Sequence, residues 1–124
     1  MNEIVLSNLS HTWILDLDGT IVKHNGYKID GQDSFLPGAQ NFLENIPQND
    51  MVVFITSRTD AYREMTETFL KEHGVRYDHI IYNAPYGERI LINDDKPSGL
   101  TMANAISVRR DEPIKIYIRI ERNL

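Results

Sequence analysis

An α/β fold with a mainly parallel sheet is predicted by three features of this sequence. Short apolar runs, such as those at 12–17 and 51–56, are typical of buried strands. Between them lie stretches in which apolar side chains recur at helical spacing, as at 60–73. Strands and helices alternate along the chain, which is the pattern of a parallel sheet covered by helices on both faces. A three-layer architecture is therefore expected.

The predicted elements follow one another in a regular order. In the helix at 60–73, Asp60 is a candidate N-cap and Gly74 a candidate terminator. The last strand alternates isoleucine with Lys115, Tyr117 and Arg119, so we expect an edge strand with one wetter face. The full set comprises strands at 12–17, 51–56, 79–83, 88–93 and 114–120, helices near 38–46 and at 60–73, a weak helix near 100–106, and a polar turn-rich segment at 23–34.

Length and composition limit the classes of function. A chain of 124 residues predicts a single domain over 1–124. The formal charge of −5 argues against a nucleic-acid partner, because proteins that neutralise phosphates usually carry a basic stripe. No apolar run approaches the roughly 18 residues of a membrane span, so no membrane partner is expected. The absence of cysteine excludes thiolate chemistry and, with no export signal at the N-terminus, predicts a cytoplasmic protein.

Polar side chains follow three of the predicted strands. Asp16 and Asp18 lie in DLDGT, residues 56–58 close FITSR, and Asp94 and Asp95 follow RILIN. If these strands are parallel neighbours, the three groups meet at one carboxyl edge, where open α/β sheets bind ligands. Carboxylates that share a site repel one another, and a hard cation with oxygen ligands, such as Mg²⁺, relieves that repulsion. A magnesium site that accepts phosphate is therefore predicted.

These motifs resemble those of the haloacid dehalogenase (HAD) superfamily of phosphohydrolases. DLDGT is similar to the first motif of that family, the threonine after VVFI to the second, and the acid that closes RILIND to the fourth. The order agrees, and the resemblance covers nearly the whole chain. It implies a Rossmann-like HAD core and a magnesium-dependent phosphomonoester hydrolase that acts through an aspartyl-phosphate.

The resemblance also implies a role for each motif residue. Asp16 would be the nucleophile, and Asp18 the acid and base that protonates the leaving oxygen and later accepts a proton from water. Magnesium would be held by the Asp16 carboxylate, the Asp18 main-chain carbonyl and Asp94. The phosphoryl oxygens would be bound by Thr56 and the amide of Ser57, with Arg58 in the same substrate-binding group.

The sequence departs from the family at the third motif, a lysine or arginine beside the nucleophile. Ala84 in IIYNAPYGER occupies the place where many small relatives carry that lysine. We predict that Lys96, directly after the two aspartates of NDDKP, supplies the charge and acts as a catalytic residue. Arg89 and Lys71 are the alternatives.

The family's inserted cap domain has no room in this sequence. Between the first motif and the next helix there is space only for a short hairpin flap at 22–31, so an open site is expected. The segments LPGAQNFLENI, RYDHIIYNAP and RILINDDKPSG resemble small capless phosphatases of bacterial surface-polysaccharide and sugar-phosphate pathways. This resemblance implies a sugar or polyol phosphate as substrate. Self-association through the last strand or across the open site is also expected.

Three other functions each fit part of this sequence. A two-component receiver domain has similar length and paired acids, but its phosphoacceptor aspartate would end a middle strand, and FITSR has no acid there. A HAD-like module that binds or senses phosphosugars without turnover is the first alternative, because the motif lysine is displaced. A phosphatase of nucleic-acid ends would suit an open site but lacks a basic groove.

Overall fold

The computed structural model describes residues 2–124, which form an α/β fold. A single 3₁₀ turn, Asp60–Tyr62, leads into the longest helix. The strands are β1 (Asn2–Leu6), β2 (Thr12–Asp16), β3 (Met51–Ile55), β4 (His79–Ile81) and β5 (Ile116–Ile120), and the helices are α1 (Gly26–Ile29), α2 (Ala39–Glu44) and α3 (Arg63–Glu72). None of the helices in these residues has the length and apolar character needed to cross a bilayer.

Every strand pair is parallel, as predicted, but the strands form two sheets. The first has the order β2-β3-β4, and the second pairs β1 with β5. In the three-stranded sheet Asp16 is level with Ile55, and Ile55 with Ile81. The carboxyl ends of the three strands therefore lie side by side, and the residues that follow them are brought together at this edge.

One face of the three-stranded sheet carries the core. Trp13, Val52 and Phe54 point to this face and are buried, and Leu70 of α3 and Phe42 of α2 belong to the same cluster. Trp13 packs edge-to-face on Phe42, with ring centroids 5.8 Å apart. The core thus packs α2 and α3 against the sheet whose carboxyl edge carries the predicted site residues.

The opposite face of this sheet lacks the predicted covering layer. Ile14, Met51 and Ile81 share it by register and are 54%, 43% and 50% exposed. The segments expected to add the missing elements, at 88–93 and 100–106, form neither strand nor helix. The expectation of helices on both faces is therefore wrong for this structure.

The apolar run at 88–93 shows why its predicted strand fails. Ile90 and Ile92 are 83% and 91% exposed, so the run packs on no core surface. A strand needs a neighbour that completes its hydrogen-bond ladder, and no ladder to this run is formed among residues 2–124. An apolar pattern alone cannot supply that neighbour.

Two further differences concern the termini and the predicted flap. β1 was not predicted, and it pairs with β5 over Asn2–Leu6 and Ile116–Ile120. The predicted hairpin at 22–31 is instead a loop with the one-turn helix α1, which follows Asn25 in the left-handed conformation (φ 55°). An isolated antiparallel bridge between Val22 and Phe35 closes this loop.

Candidate active site

The DLDGT motif turns sharply as it leaves β2. Leu17 is 1% exposed, and its carbonyl accepts hydrogen bonds from the main-chain N–H groups of Ile21 and Val22 at 2.9 and 3.1 Å. Gly19 has φ 83°, a conformation that favours glycine. Leu17 therefore anchors the turn in the core, while the acids on either side of it remain at the sheet edge.

Asp16 is a partly exposed carboxylate with a cation beside it. Its Oδ1 accepts a hydrogen bond from Arg89 Nη1 at 3.2 Å, and its Oδ2 accepts one from Thr20 Oγ1 at 3.1 Å. Arg89 Nη2 also lies 3.5 Å from Ser57 Oγ. The Asp16 side chain is 33% exposed, so a solute can reach it.

Arg58 is the centre of a second, buried cluster. Its Nε and Nη2 donate to the two carboxylate oxygens of Asp18 at 3.0 and 2.9 Å. Nη1 and Nη2 donate to Asp33 at 3.0 and 2.8 Å, and Nη1 also donates to Thr66 Oγ1 at 2.9 Å. The Tyr27 ring lies 4.1 Å from the guanidinium carbon. These contacts employ all five N–H donors of an arginine.

The surroundings of Arg58 settle its charge. Burial opposes the charged form, but the hydrogen bonds and charges of Asp18 and Asp33 outweigh it and raise the pKa of the Arg58 guanidinium above its usual range. The side chain is 1% exposed. Arg58 was predicted among the substrate-binding residues, but in this structure its donors face protein groups rather than the open edge of the sheet.

Thr56 and Ser57 follow β3 at the same edge. Thr56 is 1% exposed, and its Oγ1 accepts the main-chain N–H of Arg58 at 3.1 Å. The Thr56 hydroxyl thus shapes the turn after β3. The Ser57 amide donates to no acceptor within residues 2–124, and the Ser57 hydroxyl lies near Arg89. The Ser57 amide therefore fits its predicted role in binding an anion better than the Thr56 hydroxyl does.

Neither Lys96 nor Asp94 contacts Asp16 through a hydrogen bond or an ion pair in residues 2–124. Lys96 lies in a turn closed by hydrogen bonds with Leu100 (3.0 Å) and Gly99 (2.8 Å), and it forms no ion pair with the carboxylates of residues 2–124. Asp94 is exposed and contacts Asn93 Nδ2. Both predictions of proximity depended on a strand at 88–93, which is not formed. Lys71 is exposed near the end of α3, so among the candidates for the cation it is Arg89 that pairs with Asp16.

The oxygen donors of the first motif suit a hard cation. The Asp16 carboxylate is accessible, and the Asp18 main-chain carbonyl accepts no hydrogen bond from residues 2–124. Carboxylate and carbonyl oxygens are the ligands that Mg²⁺ uses in proteins. Across the part of the chain that the structure describes, no three histidine or acidic side chains form a metal-binding group. The third predicted ligand, Asp94, lies on a segment without regular structure.

Sequence reasoning missed Asp33 and Thr66. Asp33 lies in a polar, turn-rich segment in which an acid is normally solvated, yet it is 8% exposed. Thr66 lies on α3 and is 2% exposed. One signal pointed toward them, because an arginine that directly follows a buried strand needs an acidic partner if it is buried itself. That signal does not identify the partner.

Comparison of the chain with protein-family models, curated proteins and solved structures gave no match. The similarity to the HAD superfamily therefore rests on the three sequence motifs and on their order.

Proposed function

We propose that this chain is a HAD-type, magnesium-dependent phosphomonoester hydrolase that acts on a small sugar or polyol phosphate. The observation that carries the proposal is Asp16, a partly exposed carboxylate at the carboxyl end of β2 with Arg89 Nη1 3.2 Å away. Such a pair combines a nucleophile with a cation that attracts a phosphoryl group. The DLDGT motif gives the reaction class, and the similarity to capless phosphatases gives the substrate class.

The first step transfers the phosphoryl group to Asp16. One Asp16 oxygen attacks phosphorus in line, an O–P bond forms, and the bond from phosphorus to the ester oxygen breaks. Thr20 and Arg89 orient the carboxylate, because each bonds a different oxygen of it. Arg89 and the Ser57 amide stabilise the charge on the phosphoryl oxygens.

Asp18 moves the protons. It gives a proton to the departing alkoxide and, in the second step, accepts one from the water that attacks the aspartyl-phosphate. That attack releases inorganic phosphate and restores Asp16. Arg58 occupies one acceptor position on each Asp18 oxygen, and a carboxylate has about four such positions, so others remain for substrate and water.

Magnesium would be held by the Asp16 carboxylate and the Asp18 main-chain carbonyl, with Asp94 if its segment approaches. When bound, the ion offsets the negative charge that accumulates between carboxylate and phosphoryl group. Asp94 is exposed on the segment that carries Arg89, and Asp16, Asp18 and Asp94 do not form a preformed metal-binding group in residues 2–124.

A phosphate-release screen tests the proposal. Sugar, polyol and nucleotide phosphates are offered with Mg²⁺ and with excess chelator, to the wild-type chain and to Asp16→Asn. We expect turnover of at least one sugar or polyol phosphate that chelation and Asp16→Asn both abolish. Turnover that survives Asp16→Asn contradicts the assignment of Asp16 as the nucleophile. Absence of turnover on every ester contradicts the proposal that the chain is a phosphomonoester hydrolase.

A non-catalytic phosphosugar-binding module is the second candidate. One observation favours it, namely that Asp16 and Asp18 are both already paired with arginines, whereas Lys96 forms no ion pair with either of them in residues 2–124. The same screen distinguishes the two functions if binding is measured alongside by calorimetry. Saturable binding of a sugar phosphate without turnover would identify the module.

A further inference from the structure

We propose that Asp33 is a positioning residue for Asp18 and that it acts through Arg58. The inference rests on the proposed function, because Asp18 matters only as the acid and base of that reaction. Asp33 belongs to no catalytic motif of the sequence, and it lies in the loop between α1 and α2.

Asp33 and Asp18 hold two sides of one guanidinium. Asp33 accepts from Nη1 and Nη2, and Asp18 accepts from Nε and Nη2. The guanidinium is planar and its donors have fixed directions, so fixing one side fixes the direction of the bonds on the other. The Asp33 side chain is 2% exposed and that of Asp18 is 16% exposed. Asp33 is therefore the buried anchor, and Asp18 is the end that faces the site.

The remaining contacts of Arg58 cannot replace Asp33. Thr66 receives one bond from Nη1, and Tyr27 covers a face of the guanidinium. Neither supplies a second carboxylate or accepts from Nη2. If the Asp33 carboxylate becomes an amide, its oxygen can accept from only one of the two Arg58 donors and its NH2 group faces the other, so the buried guanidinium would shift to recover the lost bond. Asp18, bonded to the same group, would shift with it.

A displaced Asp18 has a recognisable kinetic signature. Protonation of the leaving oxygen matters most for an alkyl phosphate, whose alkoxide is a poor leaving group, and least for p-nitrophenyl phosphate, whose phenolate leaves readily. A defect confined to Asp18 therefore lowers kcat/KM, which reports the first phosphoryl transfer, more for the alkyl ester than for the aryl ester, whereas hydrolysis of the aspartyl-phosphate is common to both. A general loss of structure slows both equally.

The test compares Asp33→Asn with Asp30→Asn, using glycerol phosphate and p-nitrophenyl phosphate as substrates. Asp30 is a matched control, because it lies three positions away in an exposed pair with Lys23 at 2.9 Å. For Asp33→Asn we expect kcat/KM on glycerol phosphate to fall about 10- to 100-fold and kcat/KM on p-nitrophenyl phosphate to stay within about threefold of wild type. Asp30→Asn should match the wild type on both esters, and in an Asp18→Asn background Asp33→Asn should add no further loss.

Each outcome separates the inference from the proposed function. Equal losses of kcat/KM on the two esters, or no loss, would overturn the positioning role while wild-type turnover stands. Failure of the wild-type chain to hydrolyse any ester of the phosphate-release screen would refute the proposed function itself, and the inference with it. Circular dichroism and thermal unfolding identify a variant that does not fold. Asp33→Glu then serves as the second variant, since it keeps the charge but moves the carboxylate by one methylene, and it must show the same preference for the aryl ester.

Discussion

Replacing Arg89 with alanine tests which cation serves the nucleophile. Arg89 is the only candidate of the three whose guanidinium or ammonium lies within an ion-pair distance of Asp16 in residues 2–124, at 3.2 Å. Arg89 Nη2 also lies 3.5 Å from Ser57 Oγ. The same side chain therefore contacts both Asp16, the proposed nucleophile, and Ser57, whose amide is predicted to bind the phosphoryl oxygens. Arg89→Ala removes the charge from both.

The expected losses of rate and of stability differ in size. The two side chains are 37% and 33% exposed, and exposed ion pairs contribute only about 0.2–1 kcal/mol to folding. Removal of one group that stabilises developing charge typically lowers kcat by about 10²- to 10³-fold, or roughly 2.7–4 kcal/mol in the activation free energy. Arg89→Ala should therefore remain folded at assay temperature and lose most of its turnover.

Stopped-time phosphate release gives kcat and KM for Arg89→Ala, Lys96→Ala and Arg122→Ala. Arg122 is an exposed arginine near the C-terminus and controls for the loss of one surface charge. We expect a large loss only in Arg89→Ala. If Lys96→Ala loses about a hundredfold while Arg89→Ala is nearly normal, the ion pair with Asp16 is incidental and Lys96 is the catalytic cation. If all three variants are normal, neither residue supplies the charge.

Four other predictions follow from the site and the core. Asp16→Asn should abolish turnover and Asp18→Asn should slow it severely, both measured as kcat, while circular dichroism shows an unchanged fold. Excess chelator should abolish phosphate release, and Mg²⁺ should restore it; undiminished turnover in chelator would contradict the metal. Burial opposes ionisation of Asp50, but hydrogen bonds from neighbouring donors outweigh it and lower the pKa of the carboxyl, so its stabilising contribution is complete above pH 3.8 and is lost as the pH falls through the folded-state pKa. Acid titrations of unfolding should therefore be flatter for Asp50→Asn. Gly38→Ala should lower the free energy of unfolding in urea by about 1–3 kcal/mol, because φ is 84° and the new Cβ would meet a main-chain oxygen at 2.5 Å. Gly31→Ala, at φ 76° with open space, should cost less.

Local pattern predicted the elements that carry the core. The apolar runs at 12–17 and 51–56 became β2 and β3, and the helical spacing at 60–73 became α3 with its preceding turn. Val52, Phe54 and Leu70 in these segments are buried. The apolar pattern therefore predicted correctly which side chains enter the core. Parallel pairing then placed Asp16 and Ser57 at one edge, as expected.

A hydrophobic pattern in one segment does not show whether another segment is available to pair with it. Ile90 and Ile92 belong to an apolar run that predicts a strand, as the run of β3 does. In residues 2–124, however, no strand pairs with this run, and both side chains are exposed. β1 was missed for the opposite reason, because its two polar residues, Asn2 and Glu3, conceal a strand that depends on β5. A prediction made from the composition of each segment alone is therefore wrong for the run at 88–93 and for β1.

Arg58 shows the same limit for a charged residue. A cation at the end of a strand beside two carboxylates is naturally interpreted as a substrate ligand, and sequence spacing gives no reason to pair it with Asp33. All five N–H donors of Arg58 bond protein groups, and this leaves Arg89 as the cation that pairs with Asp16, the proposed nucleophile. The position of an arginine in a motif therefore does not decide whether it binds substrate or holds another catalytic group.

The charges of the two clusters bear on the order in which ligands bind. Three acidic side chains (Asp16, Asp18 and Asp33) meet two guanidiniums (Arg58 and Arg89), so even when Asp18 holds the proton that it donates, the free site has no surplus of positive charge. A phosphate monoester brings up to about two further negative charges at neutral pH, and like charges at short distance oppose binding. A divalent cation that binds first would give the site a net positive charge. We therefore expect a phosphate mimic such as trifluoroberyllate to bind with Mg²⁺ and only weakly without it, measured by calorimetry on the wild-type chain. Equal affinity in chelator would mean that Arg89 and the main-chain amides suffice to neutralise the phosphoryl group.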